Sequence, residues 1–130
     1  MSQHIHHEHV YPASAQLIYD TLTQSDRFTA MSDGACAEIE AHPGGAFRCF
    51  DGKIVGRTLE CEPGKRLIQA WRAENWEPGL YSIVSFELRE DPKGTRLVFD
   101  QRAFPEGEED HLHHGWHSHY WEPLARVLRS

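Results

Sequence analysis

Polar and hydrophobic positions alternate with a period of two along much of this chain, then switch near Glu108 to a helical period. With Leu112 at zero and 100° per residue, Leu112, Trp116, Tyr120, Leu124, Val127 and Leu128 fall within an arc of about 160°, with Pro123 inside it. His111, His114, Ser118, Glu122 and Arg129 occupy the opposite arc. This predicts an amphipathic helix from Glu108 to Ser130 whose buried face is unusually aromatic. Glu108, Glu109 and Asp110 in its first turn, with Arg126 and Arg129 in its last, complement the helix macrodipole. Pro123 has no N–H to offer the carbonyl of His119, so a bend is expected there.

The alternating part reads as short strands. Ser82, Val84, Phe86 and Leu88 share one face against Tyr81, Ile83, Ser85 and Glu87, while Thr95, Leu97 and Phe99 oppose Arg96, Val98 and Asp100. One face is mostly apolar and the other mixed, as in a sheet covered on one side. Turn signals recur at Pro43-Gly44-Gly45, Asp51-Gly52, Glu62-Pro63-Gly64-Lys65, Glu77-Pro78-Gly79 and Asp91-Pro92-Lys93-Gly94. They delimit strands over Ala46–Phe50, Lys53–Cys61, Arg66–Glu74, Leu80–Arg89 and Thr95–Phe104. Ile5–Tyr11 and Cys36–Glu40 bring the number to about seven. Loops this short join antiparallel neighbours, since a parallel crossover needs about a dozen residues or more. After the first strand, Ser14 is placed to cap a helix of about two turns carrying Ala15, Ile18, Tyr19 and Leu22. Ser25 or Asp26 can cap a second short helix ending at Met31.

The length predicts one domain spanning residues 1–130, with an α+β architecture: a curved antiparallel sheet, two short helices after strand 1, and a long C-terminal helix lying across the sheet. A ligand would sit between helix and sheet. The net charge of −7 and the lack of a basic face argue against a nucleic-acid partner. No apolar run approaches the roughly 20 residues needed to span a bilayer, and the N-terminal stretch lacks a signal-peptide core, so no membrane partner and a cytoplasmic location are expected. A homodimer stays open.

Two groups of residues invite chemical readings. Cys36, Cys49 and Cys61 show no CxxC spacing; a two-residue turn at Asp51-Gly52 would set Cys49 opposite Ile54, so reduced thiols are expected. The ten histidines are concentrated at the two ends of the chain. On the first strand His4 and His6 face one way, His7 and His9 the other. In His111-Leu-His113-His114-Gly-Trp-His117-Ser-His119, His113 and His117 lie one turn apart and can reach one metal, with Glu109 as an oxygen donor. HxxxH without a third firm ligand is weak evidence for zinc, so no metal is assigned. No phosphate loop, nucleophile elbow or paired-carboxylate motif is present, and no cofactor is expected.

Gly44-Gly45-x-Phe47, Asp51-Gly52, Gly56, Glu60-x-Glu62-Pro63-x-x-Arg66-Leu67, Trp71, Ser82-x-Val84, Gly94-Thr95-x-Leu97 and Gly115-Trp116…Tyr120 follow one another in order. The chain thereby resembles the AHSA1-like (activator of Hsp90 ATPase homologue 1-like) group of the START/Bet v 1-like, or SRPBCC, superfamily. The resemblance implies a helix-grip fold: seven antiparallel strands curling around the C-terminal helix, with a deep cavity between. It also implies, by family analogy alone, an Hsp90-type chaperone as partner.

The cavity suggests a protein that binds a small, largely apolar molecule. Phe28, Met31, Phe47, Trp71, Phe86, Phe99, Trp116 and Tyr120 are expected around it, with Arg72, Ser82, His117 and Tyr120 as polar groups at its mouth. The alternatives are a module regulating a chaperone ATPase, or a cavity enzyme using His117 and Tyr120 as acid–base groups.

Overall fold

The alternation resolves into one antiparallel sheet in a computed structural model of the chain, which describes residues 4–128. The strands are β1 (His4–Tyr11), β2 (Glu38–Ile39), β3 (Ala46–Cys49), β4 (Ile54–Glu62), β5 (Arg66–Ala73), β6 (Ser82–Asp91) and β7 (Gly94–Arg102). Their order is β1-β7-β6-β5-β4-β3-β2, so the N-terminal strand closes one edge beside the last strand. Each consecutive pair from β2 to β7 is joined by a short turn, as the Gly- and Pro-containing signals require. Cys49 pairs with Ile54, and all three cysteines are free thiols. A register shift between Thr58 and Glu60 marks a bulge in β4, a device that bends and twists a strand.

The helices α1 (Ala15–Thr23) and α2 (Ser25–Met31) follow β1. Ser14 caps α1 by accepting from the Leu17 N–H at 3.1 Å. Ser25 makes no cap; its hydroxyl accepts from the Ile39 N–H at 3.0 Å and ties α2 to the edge strand β2. No helix of the described residues is long and apolar enough to cross a membrane.

The C-terminal helix differs from the expected smooth rod. It consists of α3 (Glu109–Trp116), a π-helical turn (His117–Trp121) and α4 (Glu122–Leu128); Arg129 and Ser130 lie outside the described residues. In the wide turn the Glu122 N–H donates to the carbonyl of His117, five residues back. Pro123 follows at once, so the disruption that its missing N–H predicts takes the form of a π turn on its N-terminal side. The extra residue in that turn rotates Trp121, which falls at about 180° on a 100° wheel, onto the buried face. Both Tyr120 and Trp121 are buried.

Beneath the helix the core is filled by rings. Trp116 lies 4.2 Å from Phe99, 4.3 Å from Tyr120 and 5.1 Å from Trp71 between centroids, and Phe86 stands 5.3 Å from Phe99. A buried polar chain runs through them: Trp116 Nε1 donates to Gln101 Oε1 (2.8 Å), Gln101 Nε2 to Ser82 Oγ (3.0 Å), and Ser82 Oγ to the Trp71 carbonyl (2.8 Å). Each polar side chain in this run is thus satisfied, as a low-dielectric interior demands.

Candidate functional site

The open volume lies beside this ring cluster, displaced from the position the sequence suggests. A cleft of about 800 Å³ opens at the end of the sheet that carries the β3–β4 turn. One wall is that turn, from Phe50 to Ile54; a second is the end of β5 and the following loop, Trp71 to Trp76; the third is the helix from Glu108 to Tyr120. Phe50 is held at φ 53°, a left-handed conformation costly for a bulky residue, within the tight turn it shares with Asp51 and Gly52. That turn sets its ring 5.4 Å from Phe28 and 5.5 Å from Tyr120. Lys53, Glu74, Asp110 and His119 stand among the lining residues, so an aromatic interior meets polar and charged groups.

Two polar atoms in the walls of the cleft are incompletely used. Trp76 is buried, and its Nε1–H finds no partner among the described residues. Tyr120 accepts from Trp71 Nε1 at 3.5 Å, which leaves its own proton for another acceptor. Burial, and next the nearby Cys49 thiol, raise the Tyr120 phenol well above its ordinary range, so it stays neutral and a donor.

Of the residues expected at the site, Trp71, Trp116 and Tyr120 line the cleft. Phe28 backs its wall, while Met31 is fully buried in α2 and Phe47 packs against Gly56. Phe86 and Phe99 belong to the ring cluster beneath the helix. Ser82 is not at a mouth but fully buried within the polar chain. Arg72 donates to the carbonyls of Leu80, Trp76 and Glu77 and fastens the loop that carries Trp76. Sequence reasoning missed Trp76 and Phe50, which sit in turns where no periodicity marks a face.

His117 lies on the other side of the helix, against β1. Its ring centroid is 4.9 Å from His7 and 5.7 Å from His9, so it does not share the cleft with Tyr120 as an acid–base pair. Here the π turn has a second effect, because Trp121 Nε1 donates to His7 Nδ1 at 2.9 Å. His7 must then carry its proton on Nε2, which donates to His113 Nδ1 at 2.8 Å. Burial first, then the neighbouring His113 and His117, lower the His7 pKa to about 4, keeping that ring neutral. His113 spends its Nδ1 lone pair on His7, so the His113–His117 pair, to which the sequence assigns no metal, packs as a clamp between helix and edge strand. Among the described residues this side holds no set of three ligand atoms close enough for one ion.

Cys49, on β3, gives a test by pH. Burial pushes its thiol from 9.0 to about 12. A thiol whose folded pKa is raised keeps its proton while the unfolded chain loses it, so stability falls as pH rises from 9 toward 12. Between pH 9 and 10 the loss should be about 1 kcal/mol. Urea unfolding at the two pH values should show this decrement in the parent and a smaller one in Cys49→Ala; equal decrements would refute the assignment.

With this geometry in place, comparison with known proteins is informative. The family described as "Activator of Hsp90 ATPase homolog 1-like protein" matches residues 12–129. An uncharacterized protein of Schizosaccharomyces pombe is 29% identical over 124 residues, covering 95% of this chain and 37% of that protein. The mouse "Activator of 90 kDa heat shock protein ATPase homolog 2" is 26% identical over 124 residues, with the same coverages of 95% and 37%. The chain thus spans little more than a third of the length of these relatives. Among solved structures, an HSP90 activator from Plasmodium falciparum superposes with a TM-score of 0.88 at 24% identity, covering 98% of this chain and 96% of that one. At that identity the likeness supports the helix-grip fold alone.

Proposed function

From the premise that this chain belongs to the activator of Hsp90 ATPase homolog 1-like family, we propose that it binds a small, largely apolar molecule in the cleft beside its C-terminal helix. The observation that carries this reading is an aromatic cleft of about 800 Å³ whose wall holds the unpartnered Trp76 indole N–H. Small-molecule sites are concave and mostly apolar, of roughly 300–1,000 Å³, with a few polar groups that fix orientation. Burial of apolar ligand area supplies about 25 cal/mol per Å². The Trp76 N–H and the Tyr120 hydroxyl supply direction, and they select a molecule that carries a hydrogen-bond acceptor. Arg72 acts indirectly, by holding the Trp76 loop.

Native mass spectrometry of the protein purified from its own host should show a retained small molecule. Trp76→Phe keeps an aromatic ring but removes the donor, and should weaken that ligand roughly 5–10-fold, the value of one net hydrogen bond. Absence of any adduct, together with no quenching of tryptophan fluorescence across a panel of aromatic acceptors, would discard the reading.

A second reading, a chaperone-directed interaction module, is favoured by relatives named as an activator of a 90 kDa heat shock protein ATPase and as an Hsp90 co-chaperone. It predicts that the chain co-purifies with an Hsp90-type chaperone and changes its ATP turnover. Unaltered turnover at saturating protein would eliminate it.

A further inference from the structure

The outward face of β1 carries chemistry that the cleft does not use. We propose that His4 and His6 of β1 and Asp100 of β7 form a divalent-metal site, with zinc the ion their ligands suit best. The strand places His4 and His6 two residues apart on one face, and register sets Asp100 directly opposite His6. His4 Nε2 stands 2.7 Å and His6 Nδ1 2.8 Å from the same oxygen, Asp100 Oδ1. One ligand atom from each residue falls within 4.8 Å of the others, the only such trio among the described residues. Two imidazole nitrogens and one carboxylate oxygen form a three-ligand set suited to zinc, leaving a fourth position for water.

The surrounding contacts are those of a prepared ligand. His6 Nε2 donates to Glu8 Oε2 at 2.8 Å, and Glu8 in turn pairs with Arg96 Nη1 at 3.2 Å. A metal-bound histidine commonly directs its second N–H at a carboxylate, which fixes the tautomer and raises the basicity of the coordinating nitrogen. Glu8 stands in that position before any ion arrives. In the metal-free protein both ring nitrogens of His6 face carboxylates, Asp100 first and then Glu8, and these hydrogen bonds favour its protonated form. Binding gives the Nδ1 lone pair to the ion, any proton there passing to solvent, while the Nε2 proton stays on the ring and is donated to Glu8. Coordination at about 2.0–2.2 Å places ligand atoms a little over 3 Å apart, so the two histidine–carboxylate contacts need to open by only about half an ångström.

This site lies on the opposite face of β1 from His7 and His9, and it does not depend on the ligand proposed for the cleft. The test is calorimetric titration of zinc into the chelator-stripped full chain, with cobalt(II) absorption as a spectroscopic check. One zinc should bind per chain. The isosteric Asp100→Asn and the ligand deletion His6→Ala should each weaken it at least 10-fold and abolish the cobalt d–d bands. Glu8→Gln should weaken it roughly 10-fold. The double variant His111→Ala/His114→Ala, which removes exposed histidines elsewhere, should bind as the parent does. All three ligands lie on the outer sheet face, so thermal melts of the metal-free variants should match the parent; if His6→Ala does not, Asp100→Asn decides the outcome. Failure of the parent to bind zinc, unchanged affinity in Asp100→Asn, or loss confined to the His111/His114 double variant would overturn the proposal.

Discussion

Replacing Trp116 with alanine should lower the unfolding free energy by about 3–5 kcal/mol, the range for removing a large aromatic side chain from a packed core. Two losses combine. The indole is almost fully buried and forms the centre of the ring cluster, 4.2 Å from Phe99 and 4.3 Å from Tyr120. Its N–H also satisfies Gln101 Oε1, and through Gln101 and Ser82 it connects to the Trp71 carbonyl. Truncation leaves a cavity and an unpaired amide oxygen in the same place. Trp116→Phe separates the two, since it restores most of the volume without the donor and should cost about 1–3 kcal/mol. Urea unfolding monitored by circular dichroism, with the m-value held constant, measures both. A loss below about 1 kcal/mol in Trp116→Ala would mean that the cluster is not the core it looks to be.

Gly56→Ala should be the next most damaging change, at about 2–3 kcal/mol. Gly56 sits mid-strand in β4, paired with Phe47 on one side and Trp71 on the other. A methyl group there would stand 1.9 Å from the Ala70 carbonyl oxygen and 2.6 Å from Phe47 Cζ. The first neighbour is backbone, so relief requires a strand to move, and the second is a ring packed into the core. Gly115→Ala is the contrast. The nearest atom to its added methyl is 4.0 Å away, and within α3 the change should stabilise by about 0.5–1 kcal/mol through helix propensity. Opposite signs in the two variants distinguish close approach from a generic effect of adding a methyl. A neutral Gly56→Ala would show that β4 is free to shift.

Much of the fold is legible in the order of residue types. The alternation of Ser82, Val84, Phe86 and Leu88 fixes which face of β6 is buried, because side chains in a strand project to opposite sides. Asp51-Gly52 sets Cys49 opposite Ile54, because a short hairpin turn dictates the register of its strands. The split of His4 and His6 from His7 and His9 follows from the same geometry. The family resemblance, carried by the spacing of glycines, prolines and aromatics, extends to the fold that the match over residues 12–129 supports.

The sequence by itself determined most elements, their faces and the pairing of hairpin neighbours, since these depend on residues a few positions apart, whereas the pairing of β1 with β7 is long-range. Tertiary structure alone decided where empty space remains and which distant side chains meet. The aromatic face of the helix was visible in the pattern, but whether its rings fill the gap or line it depends on how Trp116, Phe99 and Trp71 interlock. Trp121 reaches His7 only because a π turn adds a residue ahead of Pro123, a change of phase that a fixed 100° step cannot represent. Trp76 and Asp100 gain their significance from partners, or the lack of them, supplied by other strands and loops. Periodicity records which way a side chain points; what stands opposite is settled by packing the whole chain at once.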